Sequence, residues 1–194
     1  MTACAPSAPT SSAWKGRPVT ETQTGVRLAL ASEGSANVTT GLPVLDHLIG
    51  ELVRTARFRL SLEVAPGSAD EAVASAGRAF GGAVGDLLGA PGASGFGWAL
   101  VPSVEALAAA SLERDSEPRL VSNVEFSHQR VGGLAADVAS VFLRQASDAA
   151  QINLHVRLLE GTDPQHVLTA IYKAVGAALG QACRPVPAAE EEGS

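Results

Sequence analysis

The sequence predicts an α+β protein in which one unit is used twice, with helices packed between two sheets. Three observations lead there. Two stretches alternate strictly: Phe58, Leu60, Leu62 and Val64 are interleaved with Arg59, Ser61 and Glu63, and Ile152, Leu154, Val156 and Leu158 with Asn153, His155 and Arg157. A period of two marks a strand buried on one face. Each stretch is flanked by apolar residues spaced by three and four, the pattern of an amphipathic helix. Finally, the second set repeats the first at an offset of 94–95 residues.

The elements follow in order. Leu45, Leu48, Ile49 and Leu52 predict a helix before the first alternating strand, and Val73, Ala76, Phe80, Val84 and Leu87 a longer one after it. In the second half Val138, Val141, Phe142 and Ala146 take the first role, and Leu168, Ile171, Val175, Ala178 and Leu179 the second. Gly67 and Gly161 mark the strand-to-helix turns. Further strands are expected at 25–31, 98–101, 107–113 and 119–127. The expected organisation is a disordered arm at 1–14, rich in Ala, Ser, Thr and Pro, half-repeats at 15–95 and 96–183, and an acidic tail at 184–194.

Composition narrows the function. Of 194 residues, 46% are hydrophobic but only 4% aromatic, so Ala, Leu and Val must fill the core. A net charge of −6 without a Lys/Arg run argues against nucleic acid as a partner. No apolar run reaches the roughly 18 residues of a membrane span. Met1 to Ala13 lacks the basic and apolar segments of a secretory leader. Cys4 and Cys183 form neither a CxxC pair nor a disulfide framework. A cytoplasmic protein without a membrane partner is the expectation.

The residues with chemistry to offer are few. His47 follows Asp46 on the polar side of the first helix, His155 projects opposite the apolar row of its strand, and His166 opens the last helix with Thr169 and Lys173 on the same face. His128 ends a strand beside a Gly-Gly turn and receives no role. Asp70 and Glu71 open the other long helix, where carboxylates also suit the helix dipole. An offset of 95 carries Glu71 onto His166 and Arg78 onto Lys173, so the repeat places two related polar clusters at equivalent positions.

Several segments resemble one family. Thr40-Gly41-Leu42-Pro43-Val44-Leu45-Asp46-His47-Leu48 is similar to the TG-x-P-F-LDHM motif of imidazoleglycerol-phosphate dehydratases, and Asn153-Leu154-His155-Val156-Arg157 to the family's T-LHIR strand. Tyr172-Lys173-Ala174 resembles its FKA, and Arg17 with Glu21-Thr22 its R-x-T-x-ET. Leu100-Val101-Pro102, Glu105-Ala106-Leu107 and Gly132 fall in register, so the resemblance runs from about Arg17 to Cys183.

The resemblance implies a duplicated fold, like that of ribosomal protein S5 domain 2. It implies subunits assembled from trimers into a shell, with active sites at subunit contacts. It implies a carbon–oxygen lyase of histidine biosynthesis, which converts imidazole glycerol phosphate to imidazole acetol phosphate and water. Two manganese ions act there as Lewis acids on the imidazole ring. It also identifies eight ligand positions, of which His47, His155 and His166 keep a histidine. The two HH-x-x-E motifs read Asp70-Glu71-Ala72-Val73-Ala74 and Gln165-His166-Val167-Leu168-Thr169, so Asp70, Glu71, Ala74, Gln165 and Thr169 stand where ligands are expected. Glu117 occupies the place of a phosphate-binding arginine, and no STKG segment closes the chain. Arg17 and Lys173 remain as candidate phosphate contacts, and Glu21 as a candidate catalytic acid/base.

Five lost ligand positions predict a catalytically silent relative that carries no full complement of manganese. Such a chain is expected to form a homo-oligomer, to co-assemble with an intact dehydratase subunit, or to bind a small phosphorylated ligand. The alternatives are a working dehydratase with altered or subunit-shared metal sites, and a different reaction in the same pocket.

Overall fold

The computed structural model describes residues 24–124, 130–131, 134–135 and 137–185. The first half runs β1 (Gly25–Leu30), β2 (Ser35–Thr39), α1 (Pro43–Ala56), β3 (Phe58–Glu63) and α2 (Ala69–Leu88). The second opens with β4 (Phe96–Ser103) and continues β5 (Ala106–Arg114), β6 (Arg119–Ser122), the short β7 (Arg130–Val131) and β8 (Leu134–Ala135), α3 (Asp137–Ala150), β9 (Ile152–Glu160) and α4 (Pro164–Ala182).

The strands form a sheet ordered β1-β3-β2, a second ordered β4-β5-β9-β6, and the small β7-β8 ribbon. α1 and α2 cover the first sheet, α3 and α4 the second, and the two helical layers meet as α2 against α3 and α1 against α4. This is the duplicated α+β arrangement expected from the sequence.

The repeat extends to backbone detail. β1 runs antiparallel and β2 parallel to β3, and β5 and β6 stand in the same senses to β9. Arg57 and Gln151, 94 positions apart, each follow a helix with a left-handed backbone (φ 54° and 55°). The helix crossings match too. A β-carbon on Gly81 of α2 would collide with the Ala146 carbonyl of α3, and one on Gly176 of α4 with the Leu52 carbonyl of α1. Glycine lets both helix pairs approach this closely, and the pairs are equivalent under the repeat. Tyr172 adds a polar tie: buried in α4, it donates to the Ala139 carbonyl of α3 at 3.0 Å.

Three expectations change. β2 at Ser35–Thr39 falls outside the strand ranges expected from the sequence; it is short, and Val38 is its one half-buried apolar residue. β4 spans Phe96–Ser103 rather than 98–101. The strand expected over 119–127 ends at Ser122, and residues 125–129 lie outside the described residues. There the Asn123 amide takes over the ladder, donating to the Leu158 carbonyl at 3.1 Å and accepting from its N–H at 2.8 Å. A side chain that satisfies both groups of the neighbouring strand leaves the backbone nothing to continue. The arm at 1–14, Arg17, Glu21 and His128 also lie outside the described residues.

Candidate functional site

The surviving histidines stand on three elements. His47, in the second turn of α1, is exposed and lines a cleft of about 260 Å³ with Val44, Leu48, Val131, Gln165 and Leu168. Asp46 is turned away: its carboxylate accepts from the N–H and hydroxyl of Thr40, at 3.0 and 2.6 Å, fixing the start of α1. The structure thus joins His47 to Gln165 across mainly apolar walls. A larger hollow of about 410 Å³ on the outer face of the first sheet, at Arg27, Asn37 and Ser61, has no histidine in its wall.

His155 points outward from β9, as the alternation required, while Ile152, Leu154 and Val156 are buried on the helix side. Its register neighbours are Ser111 on β5 and Val121 on β6, and Ser111 in turn faces Trp98. The sheet therefore separates His155 from the helices that carry His47 and His166.

His166 occupies the first turn of α4. Asp163 caps that helix, its carboxylate accepting the N–H groups of Gln165 and His166 at 2.8 and 3.2 Å. The imidazole Nδ1 lies 2.5 Å from Glu105 Oε2 and 4.0 Å from Asp163 Oδ1. Glu105, in the turn between β4 and β5, also accepts the Asp163 and Thr162 N–H groups at 3.0 and 3.4 Å. The Asp163 amide is the chief reason its carboxyl is held down to about 2; partial loss of water acts the other way, and its own amide, His166 and the Thr162 amide reinforce the lowering. Sequence reasoning gave Glu105 no role, because 61 residues separate it from its partner.

The equivalent start of α2 is built differently. Ser68 and Glu71 form a reciprocal capping box: the Ser68 hydroxyl accepts the Glu71 N–H at 3.3 Å, and Glu71 Oε2 accepts the Ser68 N–H at 3.0 Å. The Ser68 amide first, and then the Ser68 hydroxyl, which also donates to Glu71 Oε2 at 2.9 Å, lower the Glu71 pKa. Asp70 is exposed, and Ala74 has no donor atom. In α4 the nearly buried Thr169 donates its hydroxyl to the Gln165 carbonyl at 2.7 Å. Lys173 faces Glu51 of α1 at 4.0 Å, and Glu117 is engaged by Arg119 at 3.2 Å.

These residues do not fit a two-manganese centre. Manganese takes about six oxygen or nitrogen donors and binds most weakly in the divalent series. Here one carboxylate closes a helix cap, one hydroxyl returns to its own helix, and one imidazole is held by a carboxylate. Among the described residues no three His, Cys, Asp or Glu side chains converge.

The architecture defines the class of protein. It is similar to the crystal structure of imidazoleglycerol-phosphate dehydratase from Staphylococcus aureus, with a TM-score of 0.77 at 22% identity over 84% of this chain and 95% of that one. The enzyme from Pyrococcus furiosus, in complex with (S)-C348, gives 0.71 at 19% identity over 88% and 95%. Both likenesses establish a shared fold.

The sequence carries the assignment further. The family profile described as imidazoleglycerol-phosphate dehydratase matches residues 40–179. Proteins of that name from Acidithiobacillus ferrooxidans and Desulfitobacterium hafniense are 34% and 36% identical, over 86% of both chains in the first case and over 88% of this chain and 89% of the relative in the second. The chain belongs to the imidazoleglycerol-phosphate dehydratase family, a lyase family of histidine biosynthesis. No described helix is long and apolar enough to cross a membrane.

Proposed function

We propose that this chain is a catalytically silent member of its family, which keeps the fold and takes part in an assembly. The observation that carries the reading is the set Asp70, Glu71, Ala74, Gln165 and Thr169 at five of eight ligand positions. Loss of residues that merely orient ligands already costs about 10–100-fold in affinity or activity, and direct ligands matter more. Glu117 supports the same reading, since a carboxylate where a phosphate partner is expected repels the substrate. Arg17 and Lys173 are left to attract a small phosphorylated ligand, and Glu51 already neutralises Lys173.

On this reading the cytoplasmic chain forms a homo-oligomer or joins an intact dehydratase subunit. An exposed apolar strip on β4, made by Phe96, Trp98 and Leu100, supports association, because such strips are commonly covered by a partner. A second reading, a working dehydratase with sites completed between subunits, is supported by identity above 30% to proteins of that name across most of the chain.

Complementation of a histidine auxotroph that lacks the dehydratase separates the two. Growth on this chain alone establishes the working enzyme. Growth only beside an inactive but ligand-complete partner establishes shared sites. No growth in either arm, with soluble protein present, is the result expected for a silent chain.

A further inference from the structure

The outer faces of the two sheets carry their charges differently. Offsets of 84 residues for the flanking strands and 94 for the central strand relate the two registers. Arg27 beside Ser61 corresponds to Ser111 beside His155, and Ala29 beside Arg59 to Glu113 beside Asn153. Neither arginine of the first sheet has an arginine as its counterpart, so the repeat does not demand them. In the second sheet Arg119 is balanced by Glu117 at 3.2 Å. In the first sheet Arg27 and Arg59 are exposed and take no ion pair among the described residues.

These two guanidinium groups belong to one hollow. Ser61 faces Arg27 directly and lies two residues from Arg59 on the same strand, which makes the arginines diagonal neighbours on one face. Such neighbours stand about 7–8 Å apart, within reach of long side chains, and like charges this near repel each other unless an anion lies between them. β2 completes the rows Arg27-Ser61-Asn37 and Ala29-Arg59-Ser35. All six residues line a hollow of about 410 Å³, within the size range of small-molecule sites. Ala29, Ser35 and Ser61 are small and leave room, while the longer Arg27, Arg59 and Asn37 bound it. Glu63, the carboxylate in the next row of this face, does not line the hollow and pairs with neither arginine.

Charge and shape select the ligand. A carboxylate occupies one guanidinium fork, whereas a phosphate monoester presents three acceptor oxygens and serves two forks at once. The Asn37 amide and the Ser35 and Ser61 hydroxyls both donate and accept, as the hydroxyls of a sugar-like body require. We propose that the outer face of the first sheet binds a phosphate monoester of a small polyhydroxylated molecule. Arg27 and Arg59 hold the phosphate, and Asn37, Ser35 and Ser61 meet the body. The sheet separates this site from Lys173, which lies on α4 among the helices and faces Glu51. None of the eight family ligand positions takes part, so the site stands whether or not the chain is catalytic.

Titration calorimetry of the full chain tests this, with ribose 5-phosphate as the probe and ribose as its control. Saturable binding of ribose 5-phosphate is expected, with little binding of ribose. Arg27→Gln and Arg59→Gln are each expected to weaken it at least about 10-fold, because each removes charge-assisted hydrogen bonds. Arg59→Lys keeps the charge without the fork and is expected to recover only part of the affinity. Both arginines are exposed, so the substitutions leave the core intact. Without ligand, Arg59→Gln is expected to leave the urea midpoint unchanged or to raise it, since it removes a repulsion. Lys173→Gln is expected to bind as the unsubstituted chain does. No saturable binding at millimolar ligand, equal binding of ribose, or binding that survives both arginine substitutions would overturn the site. Loss of binding in Lys173→Gln alone would place the ligand at the family's phosphate position and overturn it too. So would sedimentation in which either glutamine substitution breaks up an oligomer, since a second copy would then cover this face.

Discussion

The starts of α2 and α4 occupy the same place in the repeat but are held in opposite ways. α2 caps itself: Ser68 and Glu71 exchange hydrogen bonds within four residues. α4 is capped by its own Asp163 and then fastened from outside, because Glu105 reaches over from the β4–β5 turn to two amides and the His166 ring. The difference shows two ways of closing a helix start. In the first half a carboxylate takes part in a local cap. In the second an imidazole is oriented by a carboxylate from another element.

The largest test rebuilds both starts. Asp70→His, Glu71→His, Ala74→Glu, Gln165→His and Thr169→Glu together are expected to raise manganese affinity by at least about 100-fold, by analogy with the cost of second-shell changes. Titration calorimetry checks this, and no gain would refute the alignment of the two motifs. Dehydratase turnover is expected to stay low until Glu117→Arg is added.

A second test asks whether the halves are equivalent in packing. Gly81→Ala and Gly176→Ala each push a methyl against a carbonyl of the facing helix, and each is expected to cost about 1–3 kcal/mol in urea unfolding. A cost confined to one half would break the equivalence of the crossings.

Cap deletion probes the comparison more finely. Ser68→Ala is expected to cost about 1 kcal/mol. Asp163→Ala is expected to cost a similar amount through the cap and to weaken the seating of Glu105 as well. Equal losses, with unchanged hydrogen exchange in the β4–β5 turn, would sever Glu105 from the α4 cap.

The smallest effect concerns Cys183. Burial pushes its thiol up to about 12, with Arg184 acting weakly the other way. The folded value lies above the unfolded one, so the contribution to stability is complete below about pH 9 and is lost as pH rises toward 12. In a Cys4→Ser background, alkylation by iodoacetamide at pH 8 is expected to be slow in the native protein and fast in urea; rapid native labelling would contradict this burial.

Much of this was legible in the sequence because it depends on periodicity. The four helices follow from spacings of three and four, and the outward direction of His155 from strict alternation. β2 was not legible, since Ser35-Ala36-Asn37-Val38-Thr39 has only Ala36 and Val38 as apolar residues, too few to establish an alternation. The end of β6 was missed because Asn123 acts through a side chain on a strand 35 residues away. In the candidate site, ligand identities were open to reading, whereas the pairs Glu105–His166 and Lys173–Glu51 arise only when distant segments meet. Periodicity reports what each face of an element buries and is silent about which polar groups converge.

The crossing of α1 with α4 has a consequence for synthesis. Among the described residues α1 is the first helix to be made and α4 the last, and the guanidinium of Arg184 joins them by donating to the carbonyls of Ala56 and Gly180, then to those of Arg57 and Ala31. On the ribosome the buried face of α1 has no native helical partner until more than a hundred further residues have been added. The middle pair, α2 and α3, emerges much closer together. Until α4 appears, the apolar face of α1 is left without its partner helix, and apolar surface exposed in this way favours aggregation.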